Sequence, residues 1–217
     1  MIGDRKNPPA SSVDPALIEA FRGAATAVIS DNLSRLPGAV DLRPFHRGGK
    51  LVGTALTIRA RSGDNLAIHQ ALNITRPGDV LVVDGGGDTS RALIGEIIKA
   101  IAESKGAAGF VIDGAIRDAG AFAASDFPCY AKAAVHRGPY KNGPGEINVP
   151  VSISGWVVNP GDIVVGDEDG IVTFPPDIAP TLIEAVRAQE AREAEILQMI
   201  RDGKYDGRYG RVAKAGD

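Results

Sequence analysis

Cysteine occurs once in this 217-residue chain, at Cys129, so neither an internal disulfide framework nor a cysteine-based zinc cluster is available to it. That lone thiol reads as a small core residue, because no histidine stands near it in a nucleophile motif. Charge of one sign is also lacking: 24 Lys and Arg are interspersed with 27 Asp and Glu, for a net charge of -3. No basic surface advertises nucleic acid, and any anion site must be local. Nowhere do 18 uncharged apolar residues run together, and residues 1–14 are polar and proline-bearing. The expectation is a soluble, cytoplasmic protein with neither a membrane nor a nucleic-acid partner. The three histidines, His46, His69 and His136, do not fall at metal-ligand spacing and read as hydrogen-bonded surface or loop residues. Gly85-Gly86-Gly87 completes neither GxGxxG nor GxxxxGK[ST], so it reads as a tight turn with positive φ or a close approach of backbone to ligand.

What is present is an interleaving of short periodic segments. Asp14-Pro15 supplies an N-cap and a proline at the first helical position, which predicts helices over 16–22 and 24–33. Strand patterns follow at 51–61, 80–84 and 108–112, with helices near 66–74, 95–104 and 119–125 between and after them. Alternation at these lengths predicts an α/β layer architecture with some parallel strands. The second half is richer in strand, with runs at 147–151, 153–157, 163–165 and 171–174. Pro77-Gly78-Asp79 and Pro160-Gly161-Asp162 look like one turn solution used twice. A helical pattern over 178–200 closes the chain, with Leu182, Ile183, Val186, Ala191, Ile196 and Ile200 on a broken apolar stripe. The expected division is a flexible arm at 1–13, one domain at 14–176, and a C-terminal helix and tail at 177–217 that contacts another subunit.

Chemistry concentrates in two places. Ile94, Ile97, Ile98 and Ile101 give the i, i+3, i+4, i+7 face of a buried helix starting at Gly95. The amides that open a helix point outward and favour an anion, so Gly95, Glu96, Ile97 and Ile98 are expected to bind a carboxylate or phosphate. Glu96 either balances the helix dipole or faces the site as a second carboxylate. The other place is Asp113-Gly114-Ala115-Ile116-Arg117-Asp118, expected to be a loop leaving a strand end, where a guanidinium stands beside a carboxylate. The pair reads either as an anion clamp with a metal ligand, or as a surface ion pair in which Asp118 caps the helix at 119. A single carboxylate plus waters suits Mg2+ or Mn2+, which take only one or two protein carboxylates. No Schiff-base lysine is evident: Lys99 and Lys105 are placed on the polar side of their helix, and Lys132 has no diagnostic context.

Gly95-Glu96-Ile97-Ile98 followed by Asp113-Gly114-x-x-Arg117-Asp118, with Arg117 22 positions after Gly95, resembles the signature of the RraA-like family. The similarity runs from about residue 18 to residue 174. The resemblance implies a swivelling α/β/β/α sandwich related to phosphohistidine domains, and a homotrimer or hexamer with sites between subunits. It implies a class II pyruvate aldolase acting on 4-hydroxy-4-methyl-2-oxoglutarate or 4-carboxy-4-hydroxy-2-oxoadipate, with oxaloacetate decarboxylase activity. The implied roles are metal binding and catalysis for Asp118, catalysis and substrate binding for Arg117, and substrate binding for residues 95–98. The family also contains regulators of ribonuclease activity that act by protein binding and lack the aspartate after the motif arginine; Asp118 is present here. A quinone-precursor methyltransferase is a third label used in this family, but the chain has no glycine-rich loop for a methyl donor.

Overall fold

The computed structural model describes residues 4–209, so the first three residues of the expected arm and residues 210–217 of the expected tail lie outside it. Two short helices open the chain, α1 (Pro15–Glu19) and α2 (Thr26–Asp31), followed by β1 (Arg43–Pro44), β2 (Leu51–Ala60) and α3 (Leu66–Leu72). Next come β3 (Asp79–Asp84), β4 (Ala92–Ile94), α4 (Glu96–Ser104), β5 (Gly109–Ile116), α5 (Ala119–Ala123) and β6 (Cys129–Ala134). The second half contains β7 (Gly145–Ile147), β8 (Val151–Ile153), β9 (Trp156–Val158), β10 (Ile163–Asp167) and β11 (Gly170–Phe174). A 3-10 turn, Pro176–Ile178, leads into α6 (Ala179–Arg201).

Nine strands form one sheet in the order β1-β6-β5-β3-β2-β10-β11, with β4 beside β5 and β7 beside β2; β8 and β9 pair separately. The central strands β2, β3, β5 and β6 are mutually parallel, and the Val/Ile/Leu-rich sequences of β2, β3 and β5 are buried on both faces, as parallel strands require. Strand periodicity sorts these residues. Leu56, Ile58, Leu81, Val83, Phe110 and Ile112 point toward α3, α4 and α5, while Val52, Ile163, Val165, Val172 and Phe174 meet α1, α2 and α6. Ala55, Val80, Val82, Val111, Tyr130 and Val164 face the other way, where Val151, Ile153 and Val158 of the β8–β9 hairpin cover them. Each fully buried large aliphatic or aromatic side chain contributes roughly 1.5–3 kcal/mol. The mixed α/β class expected from the alternation holds, and the sheet is a nearly closed, barrel-like one.

The two Pro-Gly-Asp turns are built alike. In each the glycine has positive φ, and the buried aspartate accepts a 2.8 Å hydrogen bond from the amide three residues earlier: Arg76 N–H to Asp79, Asn159 N–H to Asp162. Gly86 and Gly87 also have positive φ, as the turn reading required.

Several expectations are corrected. Asp113, Gly114, Ala115 and Ile116 are not a loop but the buried end of β5: Asp113 pairs with Asp84 of β3, and Ala115 and Ile116 lie between β4 on one side and β6 on the other. The expected strands at 147–151 and 153–157 are instead β7, β8 and β9, because Asn148 and Ser154 take positive φ and break the runs. Lys99 is buried, its Nζ 2.7 Å from Glu103 and over the Phe127 ring, so it is not on a solvated face. The apolar stripe of α6 is buried only at Leu182, Ile183 and Val186; Leu197 and Ile200 are exposed. At the other end of the chain, Lys6 bridges to Ile147, Asn7 and Asn148 exchange side-chain hydrogen bonds, and Arg5 pairs with Glu146.

Candidate functional site

The spacing of 22 residues between Gly95 and Arg117 is the length of one crossover. Strand β4 runs into α4, which returns the chain to β5, and β5 ends parallel to β4 with Ile116 opposite Ile94. The Arg117 N–H then donates to the Ile94 carbonyl at 2.9 Å. The helix start and the motif arginine are thereby placed side by side, at the carboxyl end of a parallel strand pair.

Asp118 turns back toward that helix. Its backbone is left-handed, φ 53 and ψ 39, a conformation that aspartate tolerates better than most residues. Its side chain makes no cap on α5; instead Oδ2 accepts from the Glu96 N–H at 3.0 Å, so it caps α4 from another element. Arg117 Nε lies 3.7 Å from the same oxygen, and both side chains are half-exposed. Gly95 makes this approach feasible: a Cβ there would stand 2.5 Å from Asp118 Oδ2 and 2.9 Å from Arg117 Cγ. Gly138 does the same on the far side of the guanidinium, where a Cβ would meet Arg117 Nη1 at 3.2 Å.

A cleft opens here, lined by Asn65, His69, Gly95, Ile97, Ile98, Arg117 and Lys141 among others. The first intrahelical bond of α4 is Lys99 N–H to Gly95 O at 3.0 Å, so the amides of Ile97 and Ile98 precede the ladder. Ile98 is buried in the core, but Ile97 is 70% exposed, which corrects the four-residue buried face expected from the isoleucine spacing. It forms the apolar lip of the cleft. Glu96 is exposed and takes part in the Asp118 contact through its amide. Arg117 is shared with a second, shallower depression containing Asp118, Ala134, Val135 and His136. The predicted residues 95–98, 117 and 118 are therefore brought together.

Three polar residues of the cleft escape a reading of the sequence. Asn65 precedes α3 and His69 follows one helical turn later, so the i, i+4 spacing is the available signal. Burial, with Lys141 as the second cause, holds the His69 pKa below its ordinary value and so favours the neutral ring. Lys141 sits on a loop that no local pattern marks. Asp64 fixes that loop by accepting from the amides of Asn142 (2.6 Å) and Gly143 (3.0 Å). Arg91 adds hydrogen bonds to the Gly138 carbonyl and the Tyr140 hydroxyl, both at 2.9 Å.

Among the described residues no group of three His, Cys, Asp or Glu side chains is arranged to hold a metal. The exposed Asp118 carboxylate, with oxygen donors only, fits a hard divalent cation that keeps most of its waters, and does not fit a dedicated protein cage. Lys132 pairs with the buried Asp113 at 3.2 Å, and neither lines the cleft; burial pushes the Cys129 thiol up, so that it stays protonated in the core. No helix of the described residues is long and apolar enough to cross a membrane.

Comparison with known proteins bears on the family and the fold. A family model described as "RraA-like: Aldolase/RraA" matches residues 26–173. A curated relative from Halalkalibacterium halodurans, named "Putative 4-hydroxy-4-methyl-2-oxoglutarate aldolase", is 36% identical over 193 residues, covering 88% of this chain and 92% of its own. Among solved structures, the "RNA-processing inhibitor RraA from Thermus thermophilis" is 33% identical with a TM-score of 0.64, covering 70% of this chain and 93% of that one. Streptomyces coelicolor RraAS2, titled "an unusual member of the RNase ES inhibitor RraA protein family", is 27% identical with a TM-score of 0.79, covering 88% and 100%.

Proposed function

The chain belongs to the RraA-like family, and we propose that within it this protein is a carbon–carbon lyase that releases pyruvate from 4-hydroxy-2-oxoacids. The observation that carries this reading is that Arg117, the opening residues of α4 and Lys141 line one cleft, with Asp118 in the adjoining depression accepting from the Glu96 amide. Such a set of donors suits a small acid with a carboxylate at each end, as 4-hydroxy-4-methyl-2-oxoglutarate and 4-carboxy-4-hydroxy-2-oxoadipate have. The name carried by the H. halodurans relative points to the same substrate class.

In the cleavage, the 4-hydroxyl loses its proton, the C3–C4 bond breaks, C4 becomes a carbonyl, and the bonding pair moves to an enolate of pyruvate that is then protonated at C3. The amides of Ile97 and Ile98 hold the oxoacid carboxylate by the helix-start field. Arg117 presents its planar fork to the substrate oxygens where charge accumulates. Lys141 neutralises the distal carboxylate. Asp118 would hold the divalent cation, Mg2+ or Mn2+, which supplies Lewis-acid stabilisation of the developing enolate. Ile97 shields the reacting carbons from water. Loss of carbon dioxide from oxaloacetate passes through the same enolate, so oxaloacetate decarboxylation belongs to the same proposal. The exposed outer half of α6, with Leu197 and Ile200, is the surface assigned to subunit contact in a homotrimer or hexamer.

The test is pyruvate release from 4-hydroxy-4-methyl-2-oxoglutarate by the chelated protein, with and without added magnesium or manganese, and its inhibition by oxalate. A second reading, a regulator that binds a ribonuclease, is favoured by the likeness to two solved RraA proteins, one named as an RNA-processing inhibitor and one as a member of the RNase ES inhibitor family. No pyruvate from either substrate class, together with saturable binding to a ribonuclease, selects it.

A further inference from the structure

Residues 4–14 precede the segment that the family model matches, yet they are tied to the body of the protein. The tie begins at the outer edge of β7. That strand is three residues long and pairs with β2 on one side, Ile147 opposite Ile58 and Glu146 opposite Arg59. On its other side Lys6 bridges in parallel to Ile147: the Asn7 N–H donates to the Ile147 carbonyl at 3.1 Å, and the Ile147 N–H donates to the Arg5 carbonyl at 2.9 Å. Farther along the arm, Arg76 Nη1 donates to the Ala10 carbonyl at 3.3 Å, and Asp14 accepts from the Ala16 N–H at 2.9 Å where α1 begins.

Side chains make this edge selective. Asn7 Nδ2 donates to the Asn148 carbonyl at 2.9 Å, and Asn148 Nδ2 donates back to the Asn7 carbonyl at 3.0 Å. Asn148 is buried and left-handed, φ 54, a conformation that asparagine adopts more readily than most residues. The buried Glu146 carboxylate is shared between Arg5, which donates to Oε1, and Arg59, whose Nη1 donates to Oε2 at 2.5 Å. The Arg5 hydrogen bond is the main cause that holds the Glu146 carboxyl below the usual carboxylate range. An extended segment with an arginine and, two positions on, an asparagine is therefore the chemistry that this edge accepts, and strand addition is the mode.

The edge leads directly to the cleft. Lys141 lines the cleft, the amides of Asn142 and Gly143 donate to Asp64, and β7 begins two residues later. A three-residue strand paired on one side is a weak anchor for such a loop, because short edge elements open locally at little cost. The arm supplies the second side.

We propose that the outer edge of β7 is a docking site for an extended peptide segment, occupied in this chain by its own residues 5–7, and that this occupancy holds the 141–143 segment of the cleft in place. Arg5 and Asn7 are then positioning residues, acting on the cleft through β7 and touching no substrate. The consequence for turnover rests on the lyase reading of the cleft; the docking itself does not.

Hydrogen–deuterium exchange of the full chain, resolved to single amides, tests the docking without substrate. Asn7→Pro removes the backbone donor to Ile147 together with both bonds to Asn148, and is expected to speed exchange at Ile147, Asn142 and Gly143 by about 10-fold. Asn7→Ala keeps the backbone donor and should speed it by about 3-fold, which preserves the test should the proline variant fail to fold. Lys6→Ala should match the wild type, because the Lys6 ammonium reaches Asp4, 3.5 Å away. Amides of β3 and β5 should be unchanged in every variant, which distinguishes release of the arm from loss of the fold. In turnover, Asn7→Pro is expected to raise KM for 4-hydroxy-4-methyl-2-oxoglutarate by about 10-fold with kcat within about 2-fold, the split expected when a group used in binding is displaced. Unchanged exchange at Ile147 would show that the arm does not occupy the edge, and faster exchange at Ile147 with Asn142 and Gly143 unchanged would show that it positions nothing. Either result overturns the proposal. Absence of pyruvate release from the wild type overturns the lyase reading instead, and the exchange measurement still decides the docking.

Discussion

The Asp118 carboxylate accepts a 3.0 Å hydrogen bond from the backbone amide of Glu96, 22 residues earlier in the chain. One side chain thereby closes the N-terminus of α4 and presents the carboxylate on which the proposed metal chemistry depends. These two roles separate by substitution. Asp118→Asn keeps an oxygen for the Glu96 amide and loses the charge, whereas Asp118→Ala loses both. Both are expected to abolish metal-dependent pyruvate release. Only the alanine variant should lose stability, by about 1 kcal/mol, as expected for a lost cap. Thermal melts run beside the pyruvate assay decide the point, and an asparagine variant with near-native activity would remove Asp118 as the metal ligand.

Arg117 lies within 3.7 Å of Asp118 and lines both depressions of the site. Arg117→Lys retains the charge but not the planar fork. A loss on the order of 100-fold in kcat/KM is expected, equivalent to roughly 2.7 kcal/mol of transition-state stabilisation. Steady-state kinetics on either substrate measure it, and a change of only a few-fold would reduce the guanidinium to a general electrostatic role.

Gly95 is extended, φ -152, so its backbone would accept any residue. The space would not: the added methyl of Gly95→Ala would meet Asp118 Oδ2 at 2.5 Å and must push Asp118 and Arg117 aside. Activity is expected to fall by roughly 100-fold, as for a displacement of about 1 Å in a catalytic group, while the melting temperature changes little. Equal losses of stability and activity would instead mean that the strand pair β4–β5 had been disrupted.

Acid sensitivity should centre on Asp167. Burial alone would raise its pKa, but Thr26 Oγ1 donates to it at 2.5 Å, the Thr26 amide at 2.8 Å, and Lys50 Nζ lies 3.0 Å away, so the net shift is downward. The folded protein therefore holds this proton less tightly than the unfolded chain. The stabilisation is complete above the unfolded carboxylate value of about 3.9 and is lost as pH falls toward and through the lower folded value. Asp167→Asn should cost about 2 kcal/mol at neutral pH and flatten the fall in melting temperature between about pH 5 and pH 3. Parallel slopes for the two proteins would assign the acid sensitivity to other carboxylates.

Much of this molecule can be read along the chain because the signals are local. The apolar runs of β2, β3 and the first half of β5, the isoleucine spacing of α4 and the paired Pro-Gly-Asp turns each follow from interactions among neighbours. Strands β4 and β6 cannot be read this way. Cys129-Tyr130-Ala131-Lys132-Ala133-Ala134 has little β-branched content, and becomes a strand because β5 offers it a hydrogen-bonding edge. Pairing with distant strands likewise converts the expected loop at 113–116 into strand, Asp113 beside β3 and Ala115 and Ile116 between β4 and β6.

The site divides along the same line. The residue types and the 22-residue spacing by themselves singled out Gly95, Glu96, Ile97, Ile98, Arg117 and Asp118, which a single β-α-β crossover brings together. Tertiary structure alone decided that Ile97 faces the cleft, that Asp118 caps α4 rather than the helix it precedes, and that Asn65, His69 and Lys141 complete the wall. Helical periodicity says which residues share a face but not how wide a stripe its neighbours cover, and nothing local reports which distant loop is folded against it.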